Sequence, residues 1–183
     1  MLKPDYPLTT ERLVLRPFES GDVDDVLGYR GLPEVARDVP FTVMDRDGVM
    51  AFLADAAHTT LAEEGDYLRL AVVREGTVIG EALLFWRNRE QRQGEVGYAF
   101  NPALGGHGYA TEAAREMLRL GFDQLGLNRI IGRIDARNDA SARVLERLGM
   151  RREAHFVENE IIKGEMTSEI VYAMLLREWR ARG

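Results

Sequence analysis

The 183-residue sequence contains no cysteine. That absence excludes disulfide scaffolds, thiolate zinc sites, iron–sulfur clusters and cysteine nucleophiles. Histidine is scarce: His58, His107 and His155 are dispersed and give no paired ligand spacing such as HExxH, so no metal is expected. No apolar run approaches the roughly 18 residues that a spanning helix needs. The opening residues also lack a basic-then-apolar signal region. No Ser- or Gly-rich linker, low-complexity tract or internal repeat interrupts the chain. One domain over residues 1–183 is the expectation, soluble and cytoplasmic, with no membrane partner. A hydrophobic fraction of 45% with 30% charged residues is ordinary globular composition.

Charge is uneven. Residues 1–66 carry 14 acidic and 6 basic side chains, or -8, and the remainder 16 and 18, or +2, which sum to the net -6. Nucleic-acid binders usually show a basic domain or stripe, so no nucleic-acid partner is expected. The acidic N-terminal part either attracts a cationic substrate through its field or is a solvated surface.

Patterning predicts a mixed α/β (α+β) architecture. Residues 12–18 alternate like a strand, with Leu13 and Leu15 on one face. Ser20 precedes an acidic turn suited to a helix start. A helix is expected over 47–64, carrying Val49, Phe52, Leu53, Ala56, Ala57 and Leu61. Strands at 67–74 and 77–86 flank a tight Glu75-Gly76 turn, and 87–94 reads as a loop. Strand 95–100, helix 109–125 and strand 128–135 form a strand–helix–strand unit, which implies a parallel pair. Helix 139–148 ends at Gly149, and strands 153–162 and 167–176 turn at Lys163-Gly164.

Gly105, Gly106, His107, Gly108, Tyr109, Ala110 and Thr111 lie between a predicted strand and a long helix. Glycines let the main chain turn sharply and its N–H groups approach an anion, and the following helix adds free donors. A pyrophosphate is a natural guest, although Gly-rich turns also serve as plain connectors. A Walker loop fits poorly, because this loop holds no lysine. A dinucleotide fingerprint fits poorly, since Thr111 stands where a small residue is needed, but Asp135 lies at a suitable distance downstream. A nucleotide-dependent oxidoreductase is therefore a weak alternative.

The run GHGYATEA at 106–113, preceded by EVGYAFNP at 95–102 and followed by NDASARVLERLGM at 138–150, resembles the GNAT acetyltransferase superfamily. The resemblance is to its ribosomal-protein-alanine N-acetyltransferase branch, and it extends to TERLVLRPF at 10–18 and IVYAMLLREW at 170–179. It implies a mostly antiparallel sheet of about seven strands, helices on both faces and a splayed parallel pair. It further implies that acetyl-CoA is the cosubstrate, with pantetheine on Tyr98, Ala99 and Phe100 and the pyrophosphate on 106–111. Two positions depart from the family pattern: Ala103 replaces the usual Gln or Arg, and Gly105 a tryptophan common in the branch. The activity implied is acetyl transfer to a primary amine, of a protein N-terminus or a small molecule, in a ternary complex. The alternative is a noncatalytic acyl-CoA-binding module. Dimers are common among similar enzymes, and no residue pattern here speaks for or against a homodimer.

Transfer to an amine calls for a base, an oxyanion site and a proton for the departing thiolate. By resemblance Glu95 is a candidate base, with Glu160 its rival and Glu81 a weaker third. Period-two alternation alternatively puts Glu158 and Glu160 together on the polar face of a hairpin. By the same resemblance Asn138 bonds the pantetheine arm and Ser141 assists the thiolate, while all of Asn138, Asp139 and Ser141 are equally good helix caps. Arg143 or Arg147 meets a cofactor phosphate or pairs with Glu146. His107 is expected to contribute only its main chain. Tyr98 and Tyr109 are read as packing groups, and Tyr67, Phe85 and Trp86 as core or cleft.

Overall fold

A computed structural model describes residues 1–37, 39, 41–56 and 59–182. The strands are Leu8–Thr9 (β1), Val14–Arg16 (β2), Tyr67–Arg74 (β3), Thr77–Asn88 (β4), Gln93–Phe100 (β5), Arg129–Asp135 (β6), Arg151–Ile162 (β7) and Glu165–Leu175 (β8). The helices are Val23–Arg30 (α1), Pro33–Ala36 (α2), Arg46–Asp55 (α3), Tyr109–Arg119 (α4), Asp139–Leu148 (α5) and Leu176–Arg180 (α6). All eight strands join one sheet in the order β1-β2-β3-β4-β5-β6-β8-β7. Every pair is antiparallel except β5 with β6, which a crossover through α4 makes parallel.

Two apolar cores cover the two faces. Against α4 and α5 lie Leu68, Leu70, Leu84, Val96 and Ile130, with Ala113, Ala114, Met117 and Leu118 from the α4 stripe. On the opposite face Val26 and Tyr29 of α1 and Val49, Phe52 and Leu53 of α3 pack on Ala71, Val73 and Val78. Glu75 and Gly76 both have positive φ (51° and 84°), as a two-residue hairpin turn of the right twist requires. Lys163 and Gly164 (53° and 84°) repeat this between β7 and β8. Among the described residues no helix is long and apolar enough to cross a membrane.

Several boundaries differ from the sequence pattern for identifiable reasons. The helix expected over 47–64 ends at Asp55, because Leu61 is buried in the other core and bridges to Leu2; Ala57 and His58 lie outside the described residues. The helix expected to reach 125 changes to a π turn over Leu120–Gln124, where the Leu125 N–H reaches the Leu120 carbonyl at 2.9 Å. Ser20 does not cap a helix: it opens a 3₁₀ turn, and Asp22 behind it takes the Glu19 N–H and pairs with Arg16 at 2.7 Å. The expected 87–94 loop is shorter, since β4 runs to Asn88 and β5 begins at Gln93.

Arg30 ties α1 to the sheet. It is 2% exposed and donates from Nε (2.8 Å) and Nη2 (2.5 Å) to Glu81 of β4, while Tyr29 donates to the same carboxylate at 2.9 Å. Burial, reinforced by the Glu81 charge, drives the Tyr29 phenol well above its ordinary value. Arg30→Met would leave Glu81 buried without its main counter-charge, so it should cost about 3–5 kcal/mol. Urea denaturation checks this, and an unchanged midpoint would contradict it.

Candidate active site

The parallel pair is short. β5 and β6 are in register only at Gln93↔Arg129, Gly94↔Ile130 and Glu95↔Ile131. Beyond that point β5 stays with β4 as far as Phe100, and β6 stays with β8 as far as Asp135. The two strands therefore part, leaving one edge of each unpaired over 96–100 and 132–135. The Asn101 N–H donates to the Ile79 carbonyl (3.0 Å), so by alternation the odd-numbered residues of β5 turn their main chain to β4. The main-chain groups of Val96, Tyr98 and Phe100 turn into the gap. Ala99, paired with Glu81, points its main chain away from it.

A cavity of about 570 Å³ opens from this gap onto the α1–α3 face of the sheet. Tyr98, Asn138 and Ser141 line its gap side, and Glu81, Glu95 and Glu160 its other side. The three candidate carboxylates thus share one space. Of described residues 1–66, the charged side chain that reaches the cavity is a cation, Arg30. None of the described acidic residues of 1–66 lines it, and Asp22 and Asp24 are instead paired with Arg16 and Arg46.

Glu95 is the last β5 residue with a β6 partner, and Arg87 of β4 forms an ion pair with it. Glu160 is freer: among the described residues its ion-pair partner is the Arg133 Nη2 at 3.8 Å. Alternation does not carry Glu160 onto a shared face with Glu158. Between Phe156↔Glu169 and Glu160↔Thr167, β7 advances four residues against two of β8. Glu158 absorbs the excess at φ 49°, and the strand resumes with Glu160 in the cavity. Glu81 is held by Arg30 and Tyr29 and has its oxygens occupied.

On the helix side, Asn138 caps α5 by accepting the Ser141 N–H on Oδ1 (2.9 Å). Its amide nitrogen and the Ser141 hydroxyl have no partner among the described residues. Tyr98 donates its hydroxyl to the Ser141 carbonyl (3.0 Å), stitching β5 to α5, and burial pushes its phenol well above the ordinary value. Glu146 takes the Tyr172 hydroxyl (3.0 Å), and among the described residues the expected Arg143 or Arg147 pair with it does not form.

The glycine loop lies off the cavity, at the start of α4. Gly106 and Gly108 both have φ +81°, a conformation that side chains rarely adopt. Gly108 is the N-cap, and the first intrahelical bond runs from the Glu112 N–H to its carbonyl. The N–H groups of Tyr109, Ala110 and Thr111 therefore lack helical acceptors. Thr111 Oγ1 is also buried without a partner among the described residues. His107 stays exposed with its ring stacked on Tyr109 (5.5 Å), and its carbonyl accepts from Arg12 (2.9 Å). The Ala103 N–H is taken by Asn101 Oδ1 (3.0 Å). A Cβ on Gly105 would sit 3.1 Å from the Pro102 carbonyl, a tight contact that asks a few tenths of an ångström of this turn.

The family model of the acetyltransferase (GNAT) domain matches residues 12–151. The chain belongs to the GNAT acetyltransferase family. An uncharacterized N-acetyltransferase of Bacillus subtilis, YnaD, is 33% identical over 94% of this chain and 98% of its own. A putative ribosomal N-acetyltransferase of the same organism, YdaF, is 27% identical over 61% of each. A crystal structure of a GNAT acetyltransferase from Bacillus anthracis superposes with TM-score 0.84 at 29% identity, covering 94% of this chain and 99% of that one. As a GNAT member the protein is an acetyltransferase that uses acetyl-CoA. The unpaired β5 edge fits a pantetheine arm. The free N–H groups of α4 and the orphaned Thr111 hydroxyl fit a diphosphate.

Sequence reasoning missed four residues of the site. Arg30, Arg69, Arg133 and Glu169 line the cavity, and Arg133 forms an ion pair with Glu169. Arg69 and Arg133 occupy strand positions whose inward face only the sheet register reveals.

Glu112 fastens the loop to the N-terminal segment, accepting from the Thr10 hydroxyl (2.6 Å) and from the Arg12 N–H and Nε (2.8 Å each). Burial pulls its carboxyl up, but these bonds outweigh it and hold the group below its ordinary 4.5. Its contribution is present above that value and lost as pH falls through the depressed one. Glu112→Gln should lower the melting temperature at neutral pH, with the gap to wild type closing below about pH 4. Thermal denaturation across pH reads this, and a gap that widens on acidification would contradict it.

Proposed function

We propose that the whole chain works as one transferase domain, moving acetyl from acetyl-CoA directly to a primary amine held in the cavity. One observation carries this reading: the gap between β5 and β6 opens into the cavity that holds Glu95 and Glu160. Acetyl-CoA, when bound, supplies a thioester carbonyl activated towards a neutral amine. The chain contributes the proton handling and the orientation. Glu95, where the strands part, takes the proton of the amine directly or through water. The N–H groups of Tyr98 and Phe100 orient the donor and offer hydrogen bonds where negative charge develops. Ser141 Oγ, on the gap side and unpartnered, carries a proton available to a departing sulfur. With no cysteine in the chain, the acyl group has no thiol of the protein to rest on, which favours a ternary complex. The relative named as a putative ribosomal N-acetyltransferase supports an amine of a ribosomal protein as acceptor.

A second reading gives the base to Glu160, favoured by its freer carboxylate, 3.8 Å from Arg133 against the direct Arg87 pair on Glu95. Turnover with labelled acetyl-CoA and a panel of peptides and amines separates the two. Glu95→Gln should lower kcat by about 10²–10⁴ with acetyl-CoA affinity unchanged, and Glu160→Gln by less. The reverse order supports Glu160. If neither substitution lowers kcat, both assignments fall.

A further inference from the structure

Among the described residues, the corner of the cavity farthest from the gap holds more positive than negative charge. Arg30 and Arg69 face one carboxylate, Glu81, and Arg30 already binds it through two nitrogens. Tyr29 takes a further acceptor position on it. Arg69 is left 3.8 Å from Glu81, too far for a hydrogen bond, and its Nε is buried without a partner among the described residues. Its side chain is 22% exposed and lines the cavity. Asp55, on α3 nearby, accepts instead from the Tyr67 hydroxyl at 2.7 Å. The guanidinium of Arg69 lies over Phe52 and Tyr67, 5.1 and 5.2 Å from the ring centroids, so its fork is held in place. A fixed guanidinium with unmet donors in a low-dielectric corner suits a carboxylate, which it can bind bidentately.

The sheet register sets the distance to the chemistry. Arg69 pairs with Leu83, and Leu83 with Gly97, so these three form one row across β3, β4 and β5. Glu95 is the next residue on that face of β5. Gly97 has no side chain, and so the floor between Arg69 and the gap is Leu83 and bare main chain. Two strand spacings are about 10 Å, and an extended peptide covers about 3.3–3.6 Å per residue.

We propose that Arg69 selects the acceptor by binding a carboxylate that the acceptor carries within about three residues of the amine to be acetylated. The inference rests on the reading of this cavity as the acceptor site. It replaces the cationic acceptor that the N-terminal charge suggested with one that is anionic at its far end.

The test compares matched tripeptides: alanyl-glycyl-glycine against its C-terminal amide, and alanyl-glycyl-glutamate against alanyl-glycyl-glutamine, both as amides. The first pair asks for a terminal carboxylate and the second for a side-chain one. Wild type should prefer the carboxylate member of at least one pair by roughly tenfold to a hundredfold in kcat/KM, mostly through KM. Arg69→Met should erase that preference and Arg69→Lys should keep part of it, with acetyl-CoA binding by calorimetry unchanged in both. Equal rates for both members of each pair in wild type overturn the proposal, whether or not the variants fold. A preference that survives Arg69→Met also overturns it. If acetyl-CoA saturates the protein but none of the four peptides is acetylated or bound, the Arg69 assignment falls and the transferase reading stands. If acetyl-CoA does not bind, both fall.

Discussion

Two neighbouring strands that begin parallel and then lose each other leave hydrogen-bonding groups with nowhere to go inside the fold. Past Glu95 and Ile131, β5 is committed to β4 and β6 to β8, and neither can bend back without breaking its other ladder. Unpaired main-chain groups away from water are costly, so such an edge needs an outside partner. The rest of the site follows from that frustration. α4 packs on β4 and β5 and presents its free N–H groups off the cavity, and α5 brings Asn138 and Ser141 to the gap side of it. The Tyr98 hydroxyl bond to the Ser141 carbonyl ties β5 to α5.

The electrostatics of the cavity are arranged in pairs that differ in how complete they are. Arg30 with Glu81, both buried, and Arg133 with Glu169, of which the glutamate is buried, are close pairs. Glu95 is shared with Arg87, which does not line the cavity, and Glu160 keeps only a distant cation. The groups with spare capacity are therefore Glu160, the Ser141 hydroxyl and Arg69. Spare capacity inside a cavity is where a substrate can gain most, because the groups it meets are partly desolvated and incompletely paired.

Much of this was legible in the residues themselves. The hairpin turns at Glu75-Gly76 and Lys163-Gly164, the helix over Asp139–Leu148 and the strand–helix–strand unit around the glycine loop all follow from local chemistry. Other features depend on partners distant in sequence. Leu61 leaves a helical pattern because the opposite core has room for it beside Leu2. The bulge that turns Glu160 inward exists only against the β8 register, and Arg69 and Arg133 reach the cavity through strand alignments that no local pattern encodes. The family motifs located the cofactor side, whereas the acceptor side came from the sheet.

The central claim is that the open edge of β5 and the start of α4 hold one ligand between them. Peptide-resolved hydrogen exchange with and without acetyl-CoA tests it most directly. Slower exchange confined to amides in 96–100 and 106–111, with the β3–β4 hairpin unaffected, is the result the account predicts. Saturating acetyl-CoA that leaves both stretches exchanging at the free rate would contradict it.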